Sequence, residues 1–213
     1  MSMPSMDLDR YCAAIFDCDG TLADTMPAHH AAWLTALRRN GAGFDFSWQL
    51  FVSRAGMPLE DTVRALNVQF GTQLDPTRVA EEQREQYAAL TETIEAIDFV
   101  VAMARQIART RPVAVASGGN RENVERTLQL LGIRELFSVV ITASDSARGK
   151  PAPDCFLLAA QRLGVPCSAC LVVEDSMLGI QAAKNAGMDS LLIDRDGSIQ
   201  WIAYQEEART VSR

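Results

Sequence analysis

The sequence has no long apolar segment, which limits where the protein can work. No stretch of its 213 residues approaches the roughly 18 consecutive apolar residues that suggest a membrane helix. Residues 1–10 also lack the apolar centre of a signal peptide. We therefore expect a cytoplasmic protein without a membrane partner.

Positive charge is also scarce. Twenty Lys and Arg residues stand against 27 Asp and Glu residues, which gives a formal net charge of −7, and the basic residues are scattered along the chain. Because nucleic-acid-binding proteins present a basic patch, we expect no nucleic-acid partner. An acidic protein that binds a phosphate group has to create positive potential locally, from a metal ion, a helix N-terminus or a few basic side chains.

The chain has five cysteines, and this odd number argues against a framework of disulfide bonds. Cys167 and Cys170 form one C-x-x-C pair, which could belong to a redox pair or to half a zinc site. No second pair or nearby histidine completes such a site. A loop cysteine followed by a cysteine at the start of a strand is the better interpretation.

Short apolar segments alternate with helical patterns along most of the chain. Five segments are typical of buried strands, at residues 12–16, 112–116, 139–141, 170–173 and 190–193. Helical periodicity covers residues 121–131, 153–163 and 178–186, and a glycine follows each of these where a C-terminal cap is expected. This alternation predicts an α/β fold with a Rossmann-like parallel sheet and helices on both faces.

The region after the first strand breaks the alternation. Residues 26–90 carry helical patterns at 28–40, 59–70 and 77–90 and no convincing strand. We interpret this region as an α-helical cap domain inserted into a core domain made of residues 1–25 and 91–213. A helix near 95–109 should return the chain to the sheet, and a last helix is expected at 198–209.

Polar residues concentrate directly after three of the predicted strands and a little further on after the third strand, at residues 139–141. In chain order they are Asp17, Asp19, Ser117, Gly118, Asn120, Lys150, Glu174 and Asp175. Ligands of open parallel sheets bind beyond the carboxyl ends of the strands, so these residues should meet at one edge. Each alone would more often be a turn, cap or surface residue. Their common placement favours a shared site.

These residue types suit phosphoryl transfer. A carboxylate can attack phosphorus and form an aspartyl-phosphate, which divides one difficult displacement into two easier ones. Magnesium can stand between this carboxylate and the phosphate, with oxygen ligands from Asp17 and Asp175. Asp19 can protonate the leaving oxygen. Lys150 can neutralise the transferred group, and Ser117 with the backbone N–H groups after it, starting at Gly118, can hold phosphate oxygens.

Taken together, the motifs resemble those of the haloacid dehalogenase superfamily of phosphohydrolases. Asp17-x-Asp19-Gly-Thr is similar to the first motif of that superfamily, Ser117 to the second, Lys150-Pro151 to the third and Glu174-Asp175 to the fourth. The resemblance implies that Asp17 is the nucleophile and Asp19 the general acid and base. It also implies that Mg2+ binds Asp17, the backbone carbonyl of Asp19, and Asp175, with Glu174 supporting the metal directly or through water.

Further segments are similar to the β-phosphoglucomutase branch of the superfamily: Asp24-Thr25 followed by His29 and Trp33, and the runs 149–154 and 174–183. That branch contains phosphatases of fructose-1-phosphate and of 6-phosphogluconate, which the chain resembles most. The resemblance implies a mobile cap, with His29 facing the active site. We expect the cap loop at Arg54, Met57, Leu59 and Glu60 to meet the leaving group, and Asn120 and Arg121 to reach it from the core.

The same comparison separates the possible activities. Dehalogenases lack the second aspartate of the first motif, here Asp19, and phosphonatases need a cap lysine, whereas Lys150 and Lys184 lie outside the predicted cap. A mutase, by resemblance, has a lysine before Gly56 and an arginine three residues after it, where this chain has Ala55 and Leu59. Two lost cationic contacts cost several kcal/mol, at roughly 1.5–3 kcal/mol each.

We therefore expect a Mg2+-dependent phosphatase that acts on a small sugar phosphate or a related small phosphorylated metabolite, as a monomer or homodimer. A β-phosphoglucomutase is the alternative, because Arg54 could replace part of the missing cap charge. A non-enzymatic binding module on this scaffold is a remote alternative, since all four motifs are intact.

Overall fold

The computed structural model describes residues 8–90, 94–194 and 197–204. Its centre is a six-stranded sheet in the order β3-β2-β1-β4-β5-β6. The strands are β1 (Ala13–Phe16), β2 (Val113–Ala116), β3 (Val139–Ile141), β4 (Cys170–Glu174), β5 (Asp189–Ile193) and β6 (Ile199–Ile202). Strands β1 to β5 run parallel, and β6 pairs antiparallel with β5. The predicted α/β fold is confirmed, and each of the five predicted strands ends within one residue of its expected position.

The helices follow the predicted alternation. They are α1 (Met26–Arg39), α2 (Trp48–Val52), α3 (Leu59–Phe70), α4 (Pro76–Ala88), α5 (Asp98–Ala108), α6 (Arg121–Leu130), α7 (Asp154–Leu163) and α8 (Met177–Asn185). Gly132, Gly164 and Gly187 adopt positive φ just after α6, α7 and α8, as the cap signals predict. Within the described ranges, no helix has the length and apolarity that crossing a membrane requires.

The central strands are apolar along their whole length because both faces of the sheet are covered. Alternate residues of β1 point to opposite sides, so Phe16 joins one core cluster and Ile15 the other. Helices α5 and α6 cover the first face, and α7 and α8 cover the second. Every residue of β1, β2 and β4 is buried, which fixes the positions of the residues that follow these strands.

Helices α1 to α4 form the inserted helical cap, with an apolar core of its own. Trp33 and Leu37 of α1 pack with Phe51 of α2, Leu66 of α3 and Val79 of α4. The limits of the cap at residues 26 and 90 stay a prediction. Helix α2 was not expected from the sequence, because five residues are too few to show a helical period.

The last predicted helix, at 198–209, is wrong over its first part. Residues 199–202 form β6, which returns after a turn at Gly197, where φ is 85°. The sequence Ile-Gln-Trp-Ile alternates apolar and polar side chains and is rich in strand-forming residues, which favours a strand after a glycine turn. Trp201 Nε1 donates to the hydroxyl of Tyr11 at 3.0 Å, which ties this edge to the core. Residues 205–209 lie outside the described residues.

The C-x-x-C cysteines occupy two different local structures. Cys167 begins a short 3-10 turn, Cys167–Ala169, and Cys170 is the first residue of β4. All five cysteines are free thiols.

Candidate active site

The carboxyl ends of β1, β2 and β4 bring the predicted polar residues together. Strand β1 lies between β2 and β4, so Asp17 after β1 is flanked by Ser117 after β2 and by Glu174 at the end of β4. The backbone pairing continues past the strand ends, because Asp17 N donates to Val173 O at 2.9 Å and Ser117 N to Ile141 O at 3.0 Å. The backbone ladder therefore fixes where these side chains begin.

Lys150 links the two neighbouring strand ends. Its Nζ donates to Asp17 Oδ1 and to Glu174 Oε1, both at 2.5 Å. These three side chains are 3%, 8% and 1% exposed, so the charges are removed from water and depend on one another. The second oxygen of Glu174 accepts from the backbone N–H and the hydroxyl of Ser176, at 2.7 and 2.9 Å.

A glycine makes room for Glu174. A Cβ atom at Gly179, in the first turns of α8, would lie 1.8 Å from Glu174 Oε1. Ser176 caps the same helix by accepting from Gly179 N at 3.0 Å. The run Glu174-Asp-Ser-Met-Leu-Gly179 therefore encodes a close approach of helix and carboxylate.

The site carries more negative charge than its lysine can balance. Burial raises the pKa of Asp17 well above its usual range; Lys150 opposes this rise, while Glu174, Asp175 and Asp19 add to it. Burial would lower the pKa of Lys150, but Asp17 and Glu174 raise it well above the usual range. Burial, reinforced by the charge of Glu174, raises the pKa of Asp175 to about 7. Four carboxyl groups thus lie at these strand ends, and two of them contact the one ammonium group.

This donor set fits a magnesium ion. Among the described residues, no three His, Cys, Asp or Glu side chains are arranged to hold a metal by themselves. Magnesium does not need such a cage, because it binds through one or two carboxylates and completes its shell with waters and substrate phosphate. Asp175 approaches the first motif closely: Thr21 Oγ1 donates to its Oδ1 at 3.1 Å, and a Cβ at Gly20 would lie 2.2 Å from its Oδ2.

Asp19 contacts both the core and the cap. Ser117 Oγ donates to Asp19 Oδ2 at 3.3 Å, and His29 Nε2 of α1 lies 3.6 Å from Asp19 Oδ1. Burial opposes ionisation of Asp19, but the imidazole of His29 and the hydroxyls of Thr25 and Ser117 together outweigh it and lower the pKa of Asp19 below its usual value. His29 therefore faces the strand ends from the cap side.

Two cap residues that the sequence did not point to hold His29 in place. The amide of Gln83 lies 3.2 Å from His29 Nδ1, and the ring of Tyr87 stacks on the imidazole with centroids 3.7 Å apart and planes 3° apart. Both belong to α4, more than 50 residues from His29, so no local motif could reveal them. The neighbouring His30 contacts Phe46 O at 3.0 Å and packs among cap aromatic rings, which is a structural position.

A cavity of about 280 Å³ lies between the cap and these strand ends. It is lined from the core by residues that include Asp17, Asp19, Gly118, Asn120 and Asp175, and from the cap by residues that include His29 and Arg54. Ser117, Lys150 and Glu174 lie behind this lining. Ser117 Oγ accepts from Gly119 N at 2.9 Å, and the side chain of Asn120 caps α6 by accepting from Asn123 N at 2.8 Å. The predicted core residues therefore gather at one edge of the sheet, apart from Arg121, which pairs with Asp145 at 2.5 Å and does not line the cavity.

The cap wall of the cavity is mixed in chemistry. Arg54 donates to Gln69 Oε1 at 2.7 Å, while its buried Nε atom has no hydrogen-bond partner among the described residues. Arg84 of α4, which the sequence did not indicate, forms a 2.6 Å ion pair with Glu60 of α3 in the same wall. Ala55 and Leu59 also line the cavity.

Comparison with known proteins agrees with this arrangement. The chain is 38% identical over 184 residues to the fructose-1-phosphate phosphatase YqaB of Escherichia coli K12, covering 86% of this chain and 96% of that protein. It is 34% identical over 181 residues to the validoxylamine A 7'-phosphate phosphatase of Streptomyces hygroscopicus subsp. limoneus, covering 84% and 83%. The crystal structure of a β-phosphoglucomutase from Clostridium difficile superposes with a TM-score of 0.75 at 25% identity, covering 86% and 85%.

The family model for haloacid dehalogenase-like hydrolases matches residues 11–187, a range that includes all four motifs and the whole helical cap. The resemblance predicted from the motifs is confirmed. The chain belongs to the haloacid dehalogenase-like hydrolase family.

Proposed function

We propose that this hydrolase is a Mg2+-dependent phosphatase that releases inorganic phosphate from a small sugar phosphate, through an aspartyl-phosphate on Asp17. The observation that carries the proposal is the buried cluster in which Lys150 bridges Asp17 and Glu174, next to a cavity between the strand ends and the cap. A cavity of about 280 Å³ suits a small metabolite better than a phosphorylated protein. The named phosphatase relatives act on small phosphorylated compounds.

In the first step, a carboxylate oxygen of Asp17 attacks phosphorus, and the bond from phosphorus to the leaving oxygen breaks. Lys150 fixes the orientation of Asp17 and reduces the repulsion between its carboxylate and the phosphate. Asp19 gives its proton to the leaving oxygen. The pKa of Asp19 is low without substrate, and an arriving phosphate dianion raises it, because the dianion disfavours a second negative charge nearby.

In the second step, water attacks the phosphorus of the aspartyl-phosphate and the bond to Asp17 breaks, which regenerates the carboxylate. Asp19, now ionised, accepts the proton from this water. His29 holds Asp19 from the cap side, so closure of the cap completes the acid–base group.

The residues that would hold magnesium are Asp17, Asp175 and the backbone carbonyl of Asp19, with Glu174 as support. Bound there, the ion would neutralise the excess carboxylate charge and the charge of the transferred phosphoryl group. Thr21 and Ser176 orient two of these carboxylates through hydrogen bonds.

A β-phosphoglucomutase activity is the second candidate, and Arg54 is the observation that favours it. A mutase has to bind a second phosphate from the cap, and Arg54 places a guanidinium group in the cavity wall. Ala55 and Leu59, however, provide no charge where the mutase pattern has a lysine and an arginine. Hydrolysis is therefore the better supported reaction. A binding module without activity is disfavoured, because every chemical group that hydrolysis needs is present.

The test is phosphate release from fructose-1-phosphate, 6-phosphogluconate and β-glucose-1-phosphate, with and without Mg2+, while glucose-6-phosphate formation is followed in parallel. We expect Mg2+-dependent release of phosphate, and loss of that release in Asp17→Asn, because an amide oxygen is a poor nucleophile. Conversion of β-glucose-1-phosphate to glucose-6-phosphate without net release would establish the mutase instead. Normal turnover by Asp17→Asn would remove Asp17 from the mechanism. The cytoplasmic location and the monomeric or dimeric state stay predictions.

A further inference from the structure

An ion pair in the cap wall bears on which leaving group the cavity accepts. Glu60 lies in the first turn of α3 and Arg84 lies in α4, and Arg84 donates to Glu60 Oε1 at 2.6 Å. Their side chains are 31% and 41% exposed, and both line the cavity that contains Asp17 and Asp19. The pair thus presents a hydrogen-bond acceptor and a fork of donors side by side to whatever is attached to the phosphate.

Glu60 carries its charge at neutral pH. Burial opposes ionisation, but the hydrogen bond from Arg84, a backbone hydrogen bond and the charges of Arg84 and Arg64 together outweigh it and lower the pKa of Glu60 below its usual value. Glu60 therefore neutralises the positive charge of Arg84, so Arg84 does not offer an unpaired charge to an anionic ligand. Arg54 is the other arginine of the lining, and the described residues place no carboxylate within ion-pair distance of it.

The charges of the lining disfavour a ligand with two anionic ends. Asp17, Asp19, Asp175 and Glu60 are acidic and Arg54 and Arg84 are basic. Lys150, just behind the lining, and a bound Mg2+ would compensate the phosphate that reacts. A second phosphate or a carboxylate on the leaving group would add to this excess of acid, and among the described lining residues only Arg54 is an arginine without a carboxylate partner to offset it.

We propose that the Glu60–Arg84 pair selects phosphomonoesters whose leaving group is an uncharged polyol, and rejects those that carry a second anion. Hydroxyl groups of the polyol donate to Glu60 and accept from Arg84, so both partners stay satisfied when substrate displaces water. This inference rests on the proposed phosphatase function and specifies its substrate class.

A purely structural ion pair is the competing explanation, and the chain contains a matched example. Arg39 of α1 and Glu82 of α4 form a 2.5 Å pair on the same helix as Arg84 but outside the lining of the cavity. Such exposed pairs contribute little to stability. Glu82→Gln removes the same charge and the same kind of contact as Glu60→Gln, so it serves as the control.

The experiment compares kcat/KM for two substrates that differ only at one carbon: glucitol-6-phosphate, with a hydroxymethyl end, and 6-phosphogluconate, with a carboxylate end. Fructose-1-phosphate and fructose-1,6-bisphosphate form a second pair that differs by one phosphate. We expect the wild type to prefer the neutral member of each pair. Glu60→Gln should shift both ratios about tenfold toward the anionic member, mainly through KM, as expected for one charge about 8 Å away at an effective dielectric constant of about 30.

Arg84→Gln should shift the ratios in the opposite direction, because it leaves Glu60 uncompensated, and Glu82→Gln should leave them within twofold of the wild type. Each ratio is internal to one variant, so partial unfolding does not alter it. Unchanged ratios in both Glu60→Gln and Arg84→Gln would overturn the inference while leaving the phosphatase intact. Wild-type enzyme that releases phosphate from none of the four esters would overturn the proposed function, and the inference with it.

Discussion

Asp175 gives the sharpest test of the charge balance at the strand ends. Its carboxyl group lies against Gly20, accepts from Thr21 Oγ1 and shares its surroundings with Glu174 and Asp17. Replacement by asparagine keeps an oxygen for Thr21 and nearly the same volume but removes the charge. We expect Asp175→Asn to unfold less readily than the wild type at alkaline pH when no divalent metal is present.

The magnitude follows from the pKa. Burial raises the pKa of Asp175 from 3.8 to about 7, so between these values the native state binds a proton that the unfolded state has lost. The free energy of unfolding therefore falls as pH rises through this window and levels off above it. For the whole shift of this pKa, the free energy of unfolding would fall by about 4 kcal/mol. Because the carboxyl group is partly open to solvent, we expect Asp175→Asn to be more stable by about 2 kcal/mol at pH 8 and nearly equal to the wild type at pH 4.

The assay is thermal unfolding at several pH values, with EDTA or with excess MgCl2. A difference of 2 kcal/mol corresponds to about 4–8 °C in Tm for a chain of this length. Magnesium should raise the Tm of the wild type at pH 8. When the Mg2+ concentration is a hundredfold above Kd, the free energy of unfolding should increase by about 2.7 kcal/mol. The rise should shrink at pH 5.5, because protons compete for Asp175, and it should be largely absent in Asp175→Asn.

Asp145 supplies a control of opposite sign. Burial opposes its ionisation, but hydrogen bonds from Thr142 N and Oγ1, at 2.8 and 2.9 Å, lower its pKa below the usual value. Asp145→Asn should therefore be less stable than the wild type at pH 8, and the gap should close as pH falls below about 4. If Asp175→Asn were no more stable than the wild type at pH 8 in EDTA, or if its advantage were the same at pH 4, the cost of ionising a buried Asp175 beside Glu174 would be contradicted.

Three further substitutions test separate contacts. Lys150→Met leaves two buried carboxylates without their cation and should cost about 3–5 kcal/mol at pH 8, measured by urea unfolding; a loss under 1 kcal/mol would contradict the buried ion pair. Gly179→Ala would bring a Cβ to 1.8 Å from Glu174 Oε1, so we expect a lower Tm and at least a tenfold loss of kcat, whereas Gly43→Ala, which meets nothing within 4 Å, should change neither. Asp19→Ala should lower kcat about 100-fold or more on a sugar phosphate but much less on p-nitrophenyl phosphate, whose leaving group needs no proton; equal losses on both would argue against an acid role.

The sheet was predictable from the sequence because its signals are local. The strands around Ile15 and Val172 are apolar along their whole length, and this pattern occurs only where helices cover both faces. Helix ends were marked by glycines such as Gly164. Strand β6 was missed because helix and strand signals compete in the segment at 198–209, and its four residues are too few to decide between them. The antiparallel edge depends on the turn at Gly197 and on Trp201 reaching Tyr11, 190 residues away in sequence.

The site residues likewise fall into two groups: those that the sequence could predict and those that it could not. Asp17 and Glu174 follow strands whose neighbours in the sheet can be deduced, so their convergence was foreseeable. Gln83 lies on the buried face of α4 with Val79, Ala80 and Tyr87, and Arg84 is its neighbour along the helix. Polar residues in a helix of this composition are more often solvated, and their importance arises only when α4 packs beside α1 and α3 and lines the cavity. Such contacts depend on the angle between helices, which the sequence of α4 does not contain.

The buried carboxylates lower the stability of the fold, and this loss of stability is evidence that the site has a function. Buried carboxylates lower stability unless each has a compensating partner, and replacement of buried ions by apolar residues is often neutral or stabilising. Here Lys150 pairs with Asp17 and Glu174. The absence of a side chain at Gly20 leaves room for Asp175, and its absence at Gly179 leaves room for Glu174. Packing alone would favour fewer acids and larger residues at the glycines. We expect the arrangement to become favourable when a divalent cation and a phosphate supply the missing counter-charge and the reacting group, so the expected rise of Tm with Mg2+ tests the same property that the proposed catalysis requires.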